Sequence, residues 1–444
     1  MRVLLIQPPL EDFYTTSIRL YPLGLLYVAR LFQAWHCRVK VLDCLQPLKK
    51  KQIPIPADFH YLKNHFEKNP YLFKGYYRFG RPEEAILDAI DAYAPDLIGI
   101  SSQFTAYYES VARLVHCIRT RRQTPLFIGG NHATVFAPCI CRKTPAIDTV
   151  LTGPAENSVP DFMASHMGDS ASLTEPIDWR RLRPAHTLIN GAGYRMGKKN
   201  YISLIASRGC PYACDFCSVQ AMFGRKIEYR AIEDILFEMR SAYRQKNVRI
   251  FNFEDDNLGF DRNWFVDFLN AVAADTALRD IELTAMNGIC YAHLDPDLLH
   301  LMLRAGFKRI NLSLVTQDVN LQHQHRRPSF SGDLEEIVRT ARRLGLFVTI
   351  YIIIGLPDQT YHEIRESIDY LLSLGVLVGP SVFYLPPGSP LFKTLAVPEA
   401  IRNNWNLYRS SAFAVETAHL TRTDLIELFA YARRRNLENK SRLY

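Results

Sequence analysis

Roughly the first 160 residues alternate short apolar runs with stretches of helical periodicity. This alternation of strand and helix patterns predicts an α/β domain built on a doubly wound parallel sheet, Rossmann-like in class. The predicted strands are Val3–Gln7, Val39–Asp43, Leu97–Ser101, Leu126–Gly129 and Thr149–Leu151. One intervening helix is predicted by apolar residues that recur on a single face, namely Tyr107, Val111, Leu114, Val115 and Ile118.

Small and polar residues follow the predicted strands. Parallel sheets bind ligands at the carboxyl ends of their strands, and glycines there let the backbone approach a flat ligand or a phosphate. No G-x-G-x-x-G follows the first strand, so a dinucleotide site is not expected. The strand-end residues are Gln7, Ser101, Ser102, Gly129, Gly130, His132 and Gly153.

The second half of the chain repeats the alternation of strand and helix. Its predicted strands are Ile202–Ala206, Arg249–Phe253, Glu282–Met286, Arg309–Leu314 and Val348–Ile354. Helical stripes lie between them, such as the apolar positions from Leu334 to Leu344. Successive β-α units predict a partial (β/α)6 barrel of the TIM type, with its site at the carboxyl ends of the strands.

Composition narrows the class of protein. With 444 residues, 53 Lys and Arg and 45 Asp and Glu, the net charge is +8, a mild bias that is compatible with anionic cofactors. No RNA-binding module accompanies this charge, so a nucleic-acid partner is not favoured. The strongest apolar run, residues 346 to 356, is shorter than the roughly 18 residues of a membrane span. The N-terminus lacks a signal-peptide pattern, and we expect a soluble cytoplasmic protein.

Three of the nine cysteines are concentrated in one short segment, Cys210, Cys214 and Cys217. Thiolates at these spacings can converge on one soft metal centre from a single loop. Three ligands leave one iron of a [4Fe–4S] cluster open to bind a small molecule. The alternative is structural zinc, which usually takes four ligands, and no second cysteine pair lies nearby.

Carboxylates follow the second strand of the predicted barrel, at Glu254, Asp255 and Asp256. Adjacent carboxylates are poor core material, because unpaired buried charge is costly. They indicate a binding site at the strand end, with a solvated turn as the alternative.

The segment from Cys210 to Cys217 resembles the C-x-x-x-C-x-aromatic-C signature of radical S-adenosylmethionine (SAM) enzymes. The resemblance implies that the three cysteines ligate a [4Fe–4S] cluster and that SAM chelates the open iron. It also implies cleavage of SAM to an adenosyl radical by an electron from a donor such as flavodoxin or ferredoxin. Members of this family usually carry an acidic residue near position 317, whereas this chain has Gln317. SAM contacts carried over by resemblance are Phe216, Glu254, Asp255, Asp256, Asn287, Ser313, Gln317 and Gly355.

The N-terminal domain resembles the cobalamin-binding domains that are fused to some radical SAM enzymes. The likeness lies in Pro22-Leu23-Gly24-Leu25-Leu26, in the strand ending at Ser101 and in the run from Gly129 to Thr134. The D-x-H-x-x-G motif is absent, so no histidine from that loop is expected on cobalt. For His132 we favour a histidine bonded within its loop over a cobalt ligand. The predicted cobalamin contacts are Pro22, Leu23, Gly24, Ser101, Ser102, Gly129, Gly130, His132 and Gly153.

Together these patterns predict a cobalamin-binding domain over 1–165, a linker over 166–200, a radical SAM domain over 201–395 and a helical tail over 396–444. The resemblance implies a cobalamin-dependent enzyme that methylates an unactivated carbon, or phosphorus, of a small molecule.

Four alternatives stay open at this point. The first is an enzyme that closes or rearranges rings without methylation, and the second is a radical SAM enzyme whose first domain no longer binds cobalamin. The third is a binding module with a structural cluster, and the fourth is an enzyme that modifies nucleic acid.

Overall fold

The computed structural model describes residues 1–15, 21–167, 177–189, 193–328 and 333–440. The predicted linker over 166–200 therefore lies partly outside the described residues, as do the last residues of the predicted tail. In the described ranges no helix combines the length and the apolar character that a membrane crossing requires.

The N-terminal part of the chain contains a parallel sheet of five strands in the order β3-β1-β6-β7-β8. Its strands are β1 (Arg2–Gln7), β3 (Arg38–Asp43), β6 (Leu97–Ser101), β7 (Leu126–Gly129) and β8 (Thr149–Leu151), and a small antiparallel sheet adds β2 (Leu10–Asp12), β4 (Lys50–Ile53) and β5 (Tyr76–Phe79). The helices are α1 (Leu23–Ala34), α2 (Lys63–Lys68), α3 (Glu83–Tyr93), α4 (Tyr108–Arg121), α5 (Asn131–Lys143) and α6 (Ala155–Met167).

Helices cover both faces of this sheet because the strands are apolar on both sides. In β1, Val3 and Leu5 belong to a core that includes Leu26 of α1. Leu4 and Ile6 point the opposite way, into a second core that includes Val111 of α4. A strand buried on both faces is a near-continuous hydrophobic run, and this is the pattern that predicted the sheet. The predicted doubly wound class is confirmed.

The second half of the chain forms an open barrel. Its strands are β9 (Arg195–Met196), β10 (Lys199–Leu204), β11 (Ser207–Arg208), β12 (Glu228–Tyr229), β13 (Val248–Phe253), β14 (Glu282–Thr284), β15 (Arg309–Val315), β16 (Phe347–Ile354) and β17 (Leu377–Val382). Its helices are α7 (Val219–Phe223), α8 (Ile232–Lys246), α9 (Arg262–Ala274), α10 (Pro296–Ala305), α11 (Val319–Gln324), α12 (Leu334–Arg343), α13 (Tyr361–Ser373), α14 (Pro390–Thr394), α15 (Glu399–Arg402) and α16 (Arg422–Lys440).

The main strands of the barrel form two sheets, in the orders β14-β13-β10-β9 and β15-β16-β17. All of these strands run parallel except β9, which is antiparallel to β10. Isolated parallel bridges, Leu283 to Phe307 and Ile289 to Leu312, join the two sheets between β14 and β15. The sixth parallel strand, β17, was not located from the sequence, because Gly379 and Pro380 interrupt it. Proline is tolerated there because β17 pairs on one side alone, with β16.

The C-terminal segment packs against both parts of the molecule. Trp405 lies in the first domain's core with Tyr108 and Phe136. The buried Arg409 guanidinium donates to the carbonyl oxygen of Glu11 at 2.8 Å. Helix α16 then packs on β17, where the Asn436 side chain accepts from and donates to the Val378 backbone. The segment therefore joins the first domain to the last barrel strand.

Candidate active site

The three clustered cysteines lie on the loop that leaves the carboxyl end of β10. The base of this loop is held by the short antiparallel pair of β11 and β12. Gly209 has a φ of +89°, and a Cβ at this position would come 2.3 Å from the carbonyl oxygen of Lys226. The sharp turn into Cys210 therefore requires glycine, because a side chain would meet the backbone that crosses beneath it.

Cys210, Cys214 and Cys217 line one cavity of about 220 Å³ inside the barrel. Burial raises the pKa of all three thiols, that of Cys217 to about 11, so a metal must displace their protons on binding. No three His, Cys, Asp or Glu side chains in the described ranges are close enough to hold one metal ion. A [4Fe–4S] cluster takes each thiolate on a different iron, so this soft donor set fits a cluster loop.

Four of the predicted SAM contacts share this cavity with the cysteines. Phe216, Asp256, Asn287 and Ser313 all line it. The Asp256 carboxylate also accepts from the backbone N–H of Gly209 at 3.1 Å, and burial raises its pKa. The cavity thus combines thiols with the carboxylate, amide and hydroxyl groups that the polar parts of SAM would need.

Two of the predicted contacts, Glu254 and Asp255, do not line the cavity. The Asp255 carboxylate is buried and accepts from the backbone N–H groups of Ala206 and Ser207 and from the Ser207 hydroxyl, at 2.5 to 3.2 Å. Burial raises the pKa of Asp255 to about 7, against the opposing effect of these donors. Glu254 accepts from Ser203 and Asn252. Both carboxylates are engaged with the strand ends beside the loop.

Gln317 and Gly355 also lie outside the residues that line the cavity. The pairing of β15 with β16 shifts register between Ser313 and Val315, shortly before Gln317. Val315 instead lines the cavity, with a φ of +79° that is unusual for a β-branched residue. The Gly355 N–H donates to the Gln359 side chain at 2.9 Å.

Arg327 is a cavity residue that the sequence did not indicate. It is the one Lys or Arg side chain among the described residues that line this space. Its guanidinium donates to the carbonyl oxygen of Ser313 at 3.0 Å and lies 3.7 Å from the Cys290 sulfur. A cation here is suited to a carboxylate ligand, such as the methionyl carboxylate of SAM. No sequence motif predicted a binding role for Arg327, because this residue follows a short helix rather than a strand.

Several of the predicted cobalamin contacts, including Ser102, Gly130 and Gly153, follow the carboxyl ends of strands in the first sheet. The Ser102 hydroxyl is buried and finds no hydrogen-bond partner among the described residues. Gly130 has a φ of +121°, and a Cβ there would come 2.8 Å from the Ser102 carbonyl oxygen. Gly153 and Gly24 have open space where a Cβ would stand. The unpartnered Ser102 hydroxyl and the open space at Gly153 are features that suit a large flat ligand.

Pro22 is the N-cap of α1, and Leu23 is the first residue of this helix. Ser101 ends β6, and Gly129 ends β7, so the two lie on adjacent paired strands. These positions are on the elements that the resemblance implied, and their cobalamin contacts stay predictions.

His132 lies close to the carboxyl edge of the first sheet, two residues after Gly130, but its ring packs against aromatic residues. Its side chain is buried, with Nδ1 3.0 Å from the Thr105 hydroxyl. Its ring is enclosed by Tyr108, Phe136 and Trp405, with centroids 4.7 to 5.1 Å away. Burial, together with Lys143, lowers the pKa of His132 to about 3. The structure therefore does not support a contact of His132 with cobalamin, because the C-terminal segment covers the ring.

Two family models match the chain in tandem. Residues 15–163 match the B12 binding domain, and residues 204–371 match the radical SAM superfamily. The chain is a radical SAM enzyme with an N-terminal B12-binding domain. This pair of domains confirms the predicted cofactors, a [4Fe–4S] cluster, SAM and cobalamin.

Known proteins resemble the enzyme over most of its length. It is 25% identical to cytidylyl-2-hydroxyethylphosphonate methyltransferase of Streptomyces wedmorensis, over 92% of this chain and 84% of that protein. The structure of the radical SAM methyltransferase TsrM from Kitasatospora setae, with cobalamin and a [4Fe–4S] cluster bound, superimposes with a TM-score of 0.63. That match covers 88% of this chain and 73% of TsrM at 15% identity, and it establishes the shared fold.

The enzyme is also 26% identical to anaerobic magnesium-protoporphyrin IX monomethyl ester cyclase of Synechocystis sp.. This match covers 57% of the chain and 55% of the cyclase, and is therefore less extensive than the match to the phosphonate methyltransferase.

Proposed function

We propose that the enzyme transfers a methyl group to an unactivated carbon, or to phosphorus, of a small-molecule substrate. The observation that carries the proposal is the packing of the cysteine loop against the binding edge of the first sheet. Arg208, beside that loop, pairs with Glu156 of α6 at 2.8 Å. A Cβ on Gly388 would contact Ala221 of α7 and Val135 of α5, so these elements meet closely.

This packing gives each domain one half of the reaction. When bound, the cluster and SAM supply a one-electron route to an activated substrate carbon, and cobalamin carries the methyl group. We place the two cofactor sites on the surfaces where the domains meet, an arrangement that would keep water away from the radical. We place the substrate at this seam. The methyltransferase relative, which matches 84% of its own length, supports methyl transfer over other outcomes.

Within the radical SAM domain, the cavity residues take distinct roles. Cys210, Cys214 and Cys217 hold the cluster. Asp256 and Asn287 present an anionic group and an amide to the polar end of SAM, and Arg327 faces its carboxylate. These roles follow from the residues that share the cavity.

The predicted boundaries, 1–165 for the cobalamin-binding domain, 201–395 for the radical SAM domain and 396–444 for the tail, remain part of the proposal. A cytoplasmic location and a flavodoxin or ferredoxin as electron donor are also proposed. None of the nine cysteines, all of which the structure describes, forms a disulfide, as is usual in a reducing compartment.

The test uses anaerobically reconstituted enzyme, hydroxocobalamin, a one-electron reductant and SAM that carries a trideuterated methyl group. The enzyme is incubated with a small-molecule extract of cells that express it. We expect 5′-deoxyadenosine and a product whose mass includes the label. If 5′-deoxyadenosine forms and no product carries the label, methyl transfer is refuted and a cyclase-type reaction is favoured. The partial match to the Synechocystis cyclase makes that reaction the second candidate.

A further inference from the structure

His325 lies between two loops at the mouth of the barrel, just after α11. Its side chain is 3% exposed. Nδ1 lies 3.0 Å from the Asp215 carboxylate, and Nε2 lies 3.1 Å from the carbonyl oxygen of Pro357. A carbonyl oxygen accepts only, so Nε2 donates to Pro357, while the carboxylate is the acceptor for an N–H at Nδ1. The ring therefore bridges two segments that are distant in sequence.

Both segments form walls of the cluster cavity. Asp215 lies between Cys214 and Cys217, on the cysteine loop. Pro357 follows β16, whose residues Ile352 and Ile353 also line the cavity. The His325 bridge thus links the cysteine loop to the segment that follows β16, outside the cavity itself.

The cysteine loop is held at the same point by two backbone hydrogen bonds. The Asp215 N–H donates to the His325 carbonyl oxygen at 3.2 Å, and the Asp215 carbonyl oxygen accepts from the Leu391 N–H at 2.9 Å. The Phe216 ring lies edge-on to the His325 ring, with centroids 6.1 Å apart. These bonds hold the backbone of the loop, whereas the side-chain bridge sets its distance from β16.

We infer that His325 is a positioning residue that fixes the separation of the cysteine loop from the β16 wall, and so the orientation of SAM against the cluster. This inference rests on the proposed function only in that the cavity binds SAM beside a cluster. It does not depend on what the enzyme methylates. His325 touches neither cofactor site directly, because it is not among the residues that line the cavity.

Two conservative variants remove one arm of the bridge each. His325→Asn keeps a donor near the position of Nδ1 and loses the Pro357 arm. His325→Gln keeps a donor near the position of Nε2 and loses the Asp215 arm. His325→Ala loses both arms. His323→Ala, at an exposed position two residues earlier, is the matched control.

The first measurement is hydrogen exchange on the apoprotein, which needs no cofactor. We expect faster exchange of peptides covering residues 355–359 in His325→Asn, of peptides covering 210–217 in His325→Gln, and of both in His325→Ala. Differences of about tenfold are expected, and His323→Ala should match the parent.

The second measurement is SAM affinity and the electron paramagnetic resonance spectrum of the reduced cluster, with and without SAM. We expect iron content within twofold of the parent, a SAM Kd raised at least fivefold in His325→Ala, and a smaller spectral change on adding SAM. The inference is overturned if SAM affinity and spectra match the parent in all three variants. It is equally overturned if even the single-arm variants lose their iron and melt early, since the role is then purely structural.

These outcomes separate the inference from the proposed function. If the parent cleaves SAM without transferring a methyl group, the proposed methylation fails and the His325 measurements still decide the inference. If the parent fails to bind SAM at all, both fail together.

Discussion

The neighbouring carboxylates Asp255 and Asp256 have different roles in the structure, although the sequence predicted SAM binding for both. Asp255 is buried and braces the turn that enters the cysteine loop, through donors on Ala206 and Ser207. Asp256 lines the cavity and accepts one bond, from Gly209. We therefore predict that Asp255→Asn lowers stability, whereas Asp256→Asn lowers SAM affinity.

The size of each effect follows from the number of bonds lost. Asparagine at 255 keeps one acceptor oxygen and turns an amide N–H2 toward backbone donors, so one or two charge-assisted bonds are lost. At about 1.5–3 kcal/mol for each bond to a charged group, one or two lost bonds correspond to a loss of roughly 1.5–6 kcal/mol in Asp255→Asn. For Asp256→Asn, the loss of one such bond of about 1.5–3 kcal/mol to a cationic ligand corresponds to a rise of roughly 10- to 150-fold in the SAM Kd.

The assay pairs thermal unfolding of the apoproteins with SAM binding by the reconstituted enzymes. A barrel of this size should lose roughly 2–4 °C in Tm per kcal/mol, so Asp255→Asn should melt well below the parent and Asp256→Asn close to it. The reasoning is refuted if Asp255→Asn keeps the parent's Tm while its SAM affinity falls. That result would return the binding role to Asp255.

Three further predictions test other parts of the structure. Cys214→Ala should lose reconstituted iron almost completely, whereas Cys290→Ala, which removes a thiol from the same cavity, should retain it; iron analysis decides, and equal losses would contradict the ligand assignment. Arg409→Met should lower the free energy of unfolding by about 3–5 kcal/mol, because it leaves the buried Asp12 carboxylate without its nearby cation; an unchanged urea midpoint would contradict this. The folded-state pKa of His132 is lowered to about 3, below its ordinary value of 6.5, so the unfolded chain takes up the proton first and stability falls as pH drops from 6.5 toward 3. In His132→Phe this loss of stability should be smaller by up to about 1.4 kcal/mol per pH unit. Urea midpoints at pH 7 and pH 5 measure the loss, and a difference between the two midpoints equal to the parent's would contradict the prediction.

Much of the fold was predictable because the two cores impose strong local patterns. The doubly buried strands of the first sheet and the barrel strands leave continuous apolar runs, and their bounds were located within a few residues. Strand β17 was not predicted, because its glycine and proline argue against a strand. Its edge position in the sheet is what permits them. The β2-β5-β4 sheet was not predicted, since its short strands carry little periodicity.

The chemistry of the enzyme was carried by residues close in sequence. Cys210, Cys214 and Cys217 lie on one loop, so their spacing indicated one soft metal centre, with an iron–sulfur cluster favoured over structural zinc. Resemblance of that loop and of the N-terminal strand ends then indicated SAM and cobalamin, which the two matched domains confirm. The local motif is informative here because the three cluster ligands come from a single loop after one strand.

Only the tertiary structure decided which polar groups reach the cavity. Asp255 and Asp256 are neighbours in sequence, yet the end of β13 turns one toward backbone donors and the other toward the cysteines. Arg327 enters the cavity, and Trp405 covers His132, from parts of the chain far away in sequence. Side-chain direction at a strand end depends on bulges, packing and long-range contacts, and none of these leaves a periodic trace in the sequence.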